Sequence, residues 1–177
     1  MAISESSTID LILLGLIRNQ SMSAYDLTKI SGIFELVKIS IPAIYKNVRR
    51  LKSNGYLKSL RVKSGNMPEK KIYSITKQGE KRFRELLGIC SSSNIDFYFD
   101  FNVPLLFVNS IDKQTGNKVI DSIQKQLQSK QKYLVEQLEK YKDLPFPITN
   151  LGNQHLKLSR MLLDWIKEFN NDFKKNN

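Results

Sequence analysis

The sequence predicts a mainly α-helical protein with one small β-hairpin: a compact domain over residues 1–90, then an α-helical arm over residues 91–177. Three observations carry that expectation. The first half holds short periodic elements separated by strong turn signals, in the order helix, helix, helix, strand, strand, helix. The second half holds a long proline-free segment, Thr115 to Tyr141, with an apolar seam at helical spacing. The charge is also lopsided: residues 1–89 carry 16 Lys and Arg against 7 Asp and Glu, a net +9, whereas residues 90–177 carry 12 against 10, a net +2.

The first helix is written by Ile9, Ile12, Leu13, Leu16 and Ile17, which recur at i, i+3, i+4, i+7 and i+8. Leu11 and Leu14 lie off that stripe, so the helix is apolar nearly all round and calls for cover on a second side. Ser23-Ala24-Tyr25-Asp26 opens a second helix with capping-box spacing, and Leu27, Ile30 and Phe34 supply its apolar positions. Ser40 caps a third helix, with Pro42 in the first turn, where its missing N–H costs nothing. Along it Ile41, Ile44, Val48 and Leu51 form a thin apolar stripe. The opposite side carries Pro42, Lys46, Arg49, Arg50 and Ser53, with Tyr45 on the flank, and Asn54-Gly55 ends the helix.

Alternation from Leu57 to Lys63, the turn-rich Ser64-Gly65-Asn66-Met67-Pro68, and a second strand from Lys70 to Ile75 make a hairpin flanked by Arg61, Lys63, Lys70 and Lys71. Thr76 caps a fourth helix, with Phe83, Leu86 and Leu87 expected inward and Glu80 paired to Arg84. This order of elements is that of a winged helix-turn-helix, and its third helix and hairpin are its two most basic stretches.

The arm begins with the aromatic run Phe97-Tyr98-Phe99-Asp100-Phe101. Its long helix presents Ile120, Ile123, Leu127, Leu134, Leu138 and Tyr141 at coiled-coil spacing, with Lys130 interrupting. Asp143-Leu144-Pro145-Phe146-Pro147 breaks that helix. A last one sets Leu158, Met161, Leu162, Trp165, Ile166, Phe169 and Phe173 on one broad face. Two long amphipathic helices without a compact body behind them need a partner, and a second copy of the chain is the simplest.

Composition narrows the function. A chain of 177 residues, 41% hydrophobic and 25% charged, reads as an ordinary soluble globular protein. No apolar run approaches the roughly 18 residues that span a bilayer, and the start shows no secretory leader pattern. The single Cys90 fits a reducing cytoplasm; it reads as a packed thiol, with a redox role as the rival. One His and one Cys leave no usual metal site, no glycine motif cradles phosphate, and no catalytic constellation stands out, so neither enzyme chemistry nor a cofactor is expected. His155 is given no role. A localised basic field attracts polyanions; a Lys-rich surface kept for solubility is the plain alternative.

The N-terminal half resembles the PadR family of bacterial transcriptional regulators. The match runs through ILLGLI at 12–17, Met22 to Leu27, Ile41-Pro42-Ala43-Ile44-Tyr45, Arg50-Leu51 with Gly55-Tyr56-Leu57, and Gly65-Asn66 through Lys71 to Thr76 with Gly79. In the arm the resemblance is one of architecture. It implies a homodimeric repressor on double-stranded DNA, joined through its C-terminal helices. By position it assigns DNA contact to Ser40, Pro42, Tyr45, Lys46 and Arg49, and to Gly65, Asn66, Lys70 and Lys71 in the wing. Lys46 and Arg49 suit guanine edges; Arg50, Lys63, Lys70 and Lys71 suit phosphates. Tyr45 serves either DNA contact or packing. Lys38, where relatives often carry an aromatic, and Met67, where a wing arginine is common, depart from the pattern.

The expected dimer surface comprises Leu11, Leu14, Ile120, Ile123, Leu127, Leu134, Leu138, Leu158, Leu162, Trp165 and Phe169. Some relatives sense aromatic compounds, which makes Phe97, Phe99, Phe101 and Trp165 a candidate pocket for a small aromatic effector, with ordinary core packing as the rival. A protein-binding adaptor built on the same fold is the alternative from another class.

Overall fold

The structure, a computed structural model, describes residues 5–30, 39–63, 69–92 and 95–176. The expectations at Phe34, Lys38, Gly65, Asn66 and Met67 lie outside the described residues. The chain divides into two compact units, Met1–Asp96 and Phe97–Asn177.

In the first unit the elements follow the expected order: α1 (Glu5–Asn19), α2 (Ala24–Thr28), α3 (Ile41–Ser53), β1 (Leu57–Val62), β2 (Lys70–Ile75) and α4 (Lys77–Ser91). Helix α2 starts on a complete capping box: the Ser23 hydroxyl accepts from Asp26 N, and the Asp26 carboxylate accepts from Ser23 N. The hairpin pairs Leu57 with Ile75 through to Val62 with Lys70. One bridge was not foreseen. Met22 and Tyr73 exchange backbone hydrogen bonds of 3.2 and 2.9 Å, so the α1–α2 turn docks on the free edge of β2.

The core gathers Ile9, Leu13, Leu14 and Ile17 of α1 with Leu27, Ile44, Val48, Leu51, Leu57, Tyr73 and Leu86. Leu14 was expected to await a second chain, yet it is fully buried here because α4 covers that side of α1. Leu11 keeps partial exposure. Two α4 expectations are corrected. Leu87 faces outward, and Glu80 pairs with Arg18 at 3.0 Å rather than with Arg84, because α1 brings a cation closer than the next turn does.

Gly79, in the first turn of α4, is buried directly against the chain reversal that follows α3. A β-carbon there would lie 2.1 Å from the Tyr56 carbonyl oxygen and 2.7 Å from Ile75 Cγ1. Backbone cannot swing aside as a side-chain tip can. Gly79→Ala is therefore expected to destabilise by about 3 kcal/mol, the upper part of the usual overpacking range. Gly88, on the same helix, has nothing within 4 Å of an added β-carbon. Gly88→Ala should stabilise by about 0.5–1 kcal/mol through helix propensity. Thermal unfolding of the two variants should thus shift in opposite directions.

The second unit consists of α5 (Asn102–Leu106), a short 3₁₀ turn (Val108–Ser110), α6 (Lys113–Lys140) and α7 (Phe146–Asn176). Asp112 caps α6, its carboxylate accepting from Thr115 N at 2.9 Å. The chain reverses over residues 141–145 and α7 runs back along α6. Ile120, Ile123, Leu127 and Leu134, expected to meet a second copy, are buried within the unit, and Leu138 is half-buried. The buried stripe of α7 agrees with expectation at Ile166 and Phe173 and differs elsewhere. It is Leu156, Ser159, Leu163, Ile166, Asn170 and Phe173, at alternating spacings of three and four. Leu158, Leu162, Trp165 and Phe169 sit beside it, partly exposed, and Met161 faces outward. Among the described residues no helix is long and apolar enough to cross a membrane.

Candidate nucleic-acid interface

The site is built on α3. Ser40 Oγ accepts from Ala43 N at 3.4 Å and holds the first turn, while Gly55, at φ +76°, ends the helix in the left-handed region that glycine enters without steric penalty. Ile44, Val48 and Leu51 bury one side. Around the rest of the helix Ser40, Ile41, Pro42, Lys46, Arg49, Lys52 and Ser53 are exposed. Tyr45 is half-buried and packs against the core, so its ring serves the fold and leaves part of its surface open. Helix α3 contains no acidic residue. Among the described residues, no ion pair engages Lys46 or Arg49.

Arg50 differs from its neighbours. Its Nη2 donates to Asp10 Oδ1 at 2.6 Å and to Asn47 Oδ1 at 2.7 Å, and Asn47 Nδ2 in turn donates to the Ala43 carbonyl at 2.8 Å. Asp10 is buried on α1. Burial pushes its carboxyl up from the ordinary value, and the Arg50 guanidinium beside it opposes that rise. This network bolts α3 to α1 and fixes the roll of the helix, so Lys46 and Arg49 are held outward. Sequence spacing had placed Arg50 among the phosphate ligands. Its Nη2 is held by an anion 40 residues away, where periodicity cannot see it, while the side chain stays 39% exposed.

The hairpin adds Arg61, Lys63, Lys70 and Lys71, all exposed. Arg61 pairs with Glu69 at 3.4 Å, and Lys70 pairs with Asp26 at 2.7 Å. Lys70, expected at a phosphate, thereby links β2 to the cap of α2. The Lys70 ammonium and the Ser23 hydrogen bonds push the Asp26 carboxyl down to about 2 from an ordinary 3.8. A depressed carboxyl stabilises the fold at pH values above the ordinary one, and that contribution fades as pH falls from 3.8 towards 2. Urea midpoints measured from pH 5 to pH 2 should therefore fall less steeply for Asp26→Asn than for the wild type. Asp10 acts in the opposite sense: the folded chain takes up its proton first, so its protonation does not drive acid unfolding.

In the second unit the structure brings several of the expected aromatic rings together. The Phe99 and Phe101 rings stack at 5.4 Å, Phe101 lies 6.3 Å from Trp165, and Trp165 lies 5.7 Å from Phe169. Phe97 is 70% exposed and makes no ring contact with that row, whereas Phe169 completes it. Beside Phe101 opens a groove of about 690 Å³ with Pro104, Val119 and Ile123 in its lining and Lys118 and Lys130 along it. Among the described residues no group of three or more His, Cys, Asp or Glu could hold a metal ion.

Residues 13–85 match the family model of the transcriptional regulator PadR-like family. Over almost its whole length the fold is similar to solved structures. Bacillus subtilis PadR in complex with operator DNA is 18% identical at a TM-score of 0.83, covering 94% of this chain and 99% of that one. The same protein with p-coumaric acid is 16% identical at 0.79, covering 98% and 99%. A protein from Streptococcus mutans is 25% identical at 0.69, covering 90% and 96%. Among curated protein sequences none matches significantly. Residues 13–85, with the winged fold that contains them, are thus similar to the PadR-like family of transcriptional regulators.

Proposed function

We propose that this regulator is a cytoplasmic repressor that binds a palindromic operator as a homodimer and is released by a small aromatic effector. One observation carries the reading: a helix without acidic residues, rolled by the Asp10–Arg50–Asn47 network so that Lys46 and Arg49 face solvent. A recognition helix fits the major groove, where arginine and lysine pair with guanine acceptors. That Bacillus subtilis PadR has been crystallised on operator DNA supports the same use here. The exposure of Lys63 and Lys71 supports phosphate contact by both, with Ser40, Pro42 and Tyr45 contributing at the helix start.

The homodimer is supported by apolar surface left over in the second unit. Leu158, Leu162, Trp165 and Phe169 flank the buried stripe of α7, and Val103, Leu106 and Phe107 are exposed around α5. A second copy would cover them. The effector reading rests on the ring row and the cationic groove beside it, and on the binding of p-coumaric acid by Bacillus subtilis PadR.

Footprinting on the flanking intergenic DNA tests the whole proposal. It should show two symmetry-related protected half-sites about one helical turn, roughly 34 Å, apart. Affinity should fall by about 0.9 log units per log unit of salt for each phosphate neutralised. Failure to shift the chain's own upstream DNA at low salt would remove the reading. Partner binding that survives moderate salt and ignores loss of Lys46 and Arg49 would favour a protein-binding adaptor.

A further inference from the structure

Helix periodicity places Ile41 on the apolar stripe with Ile44, Val48 and Leu51, but the structure does not bury it. Ile41 is the first residue of α3, directly after its Ser40 cap, and is 58% exposed, while the other three are essentially inaccessible. At 100° per residue Ile41 lies about 20° from Val48 and about 80° from Arg49, so its exposure comes from its place at the leading end of the helix. Pro42 beside it is exposed as well. Lys46, Arg49 and Lys52 are exposed farther along the helix, and no carboxylate occurs in it.

An apolar side chain at the leading end of a cationic helix suits a partner that is anionic overall and carries a small apolar spot. Among the groups displayed in the major groove, the C5-methyl of thymine is that spot. The leading turn of a recognition helix is also the part that reaches base edges. Isoleucine is stiff at χ1, so ordering it costs little entropy.

We propose that Ile41 reads a thymine, packing its branched side chain on the base's methyl group at one position of each half-site. The inference rests on the operator-binding reading and adds to it a base identity that the charged residues do not supply. The contact removes about one methyl group from water per half-site, which corresponds to about a fourfold change in affinity for each.

The test uses the full-length protein and duplexes carrying the footprinted site. Each thymine is replaced in turn by deoxyuridine, which keeps the hydrogen-bonding edge and lacks only the methyl. Wild-type protein should lose about fourfold per half-site at one symmetry-related position. Ile41→Ala should bind the unmodified duplex more weakly by a similar factor and lose nothing further at that position, whereas Ile41→Val should retain the sensitivity. Wild-type binding that is indifferent to every replacement overturns the inference and leaves operator binding standing. Equal sensitivity in wild type and Ile41→Ala overturns it too, since another residue then reads the methyl. A melting midpoint for Ile41→Ala more than about 5 °C below wild type would show a residue working in the fold, against the proposal. No binding of the unmodified duplex by the wild type would sink the operator reading itself.

Discussion

Alanine at both Lys46 and Arg49 is expected to weaken operator binding by about 100-fold or more near 0.1 M salt while leaving the fold intact. A base-contacting arginine contributes about 1–3 kcal/mol, and a dimer presents each cation twice. Both side chains are exposed and carry no ion pair among the described residues, so unfolding should move by no more than about 0.5 kcal/mol. The salt dependence separates the two modes of contact. If the pair neutralises phosphates, the slope of log affinity on log salt drops by about 0.9 for each cation removed. If the pair reads guanine, the loss concentrates on the specific site and non-specific binding changes little. Alanine at the exposed Lys142 or Lys167, in the second unit, is the matching control and should leave operator affinity where it was. A double variant binding like wild type would mean that the outward face of α3 is not the interface.

Local chemistry made most of the fold legible. The capping box at Ser23 and Asp26, the Ser40 cap with Pro42, and the Asn54-Gly55 stop act within three or four residues of themselves, and each stands where its residues place it. Long-range partners were beyond that reach. Glu80 meets Arg18 and Arg50 meets Asp10 because folding brings distant cations and anions together, and no spacing rule encodes either pair. Ile41 misled for a different reason: periodicity reports which face an apolar residue occupies and not whether the core extends that far along the helix.

The α7 face misled through composition. Ser159 and Asn170 occupy buried positions, so a purely apolar count rotated the stripe towards Leu158, Met161 and Trp165. Of the candidate site, the cations of α3 could be read directly. Their roll could not, because it depends on the pairing of Arg50 with Asp10 and Asn47.

That dependence yields the second large effect, since removing Arg50 should unfold rather than merely unload the site. Arg50→Ala strands the Asp10 carboxylate, whose side chain is only 6% exposed, without its 2.6 Å counter-ion, and leaves Asn47 Oδ1 without the Arg50 guanidinium. Breaking a buried pair from one side costs about 3–5 kcal/mol. Arg50 is itself 39% exposed, so water can partly re-enter and about 2–3 kcal/mol is the expected loss in a denaturant titration. Burial already raises the Asp10 carboxyl, and without the guanidinium it rises further. A raised carboxyl destabilises the fold only where it must ionise, so the deficit of Arg50→Ala should shrink as pH falls and the folded chain takes up that proton. Replacing both partners with apolar residues, Asp10→Leu with Arg50→Met, should recover most of the loss, because it removes the stranded charge together with its partner. A phosphate ligand would behave otherwise: Arg50→Ala would melt like wild type at every pH and only flatten the salt dependence of DNA binding. The pH-dependent stability deficit therefore decides between an arginine that touches DNA and one that anchors α3 on α1.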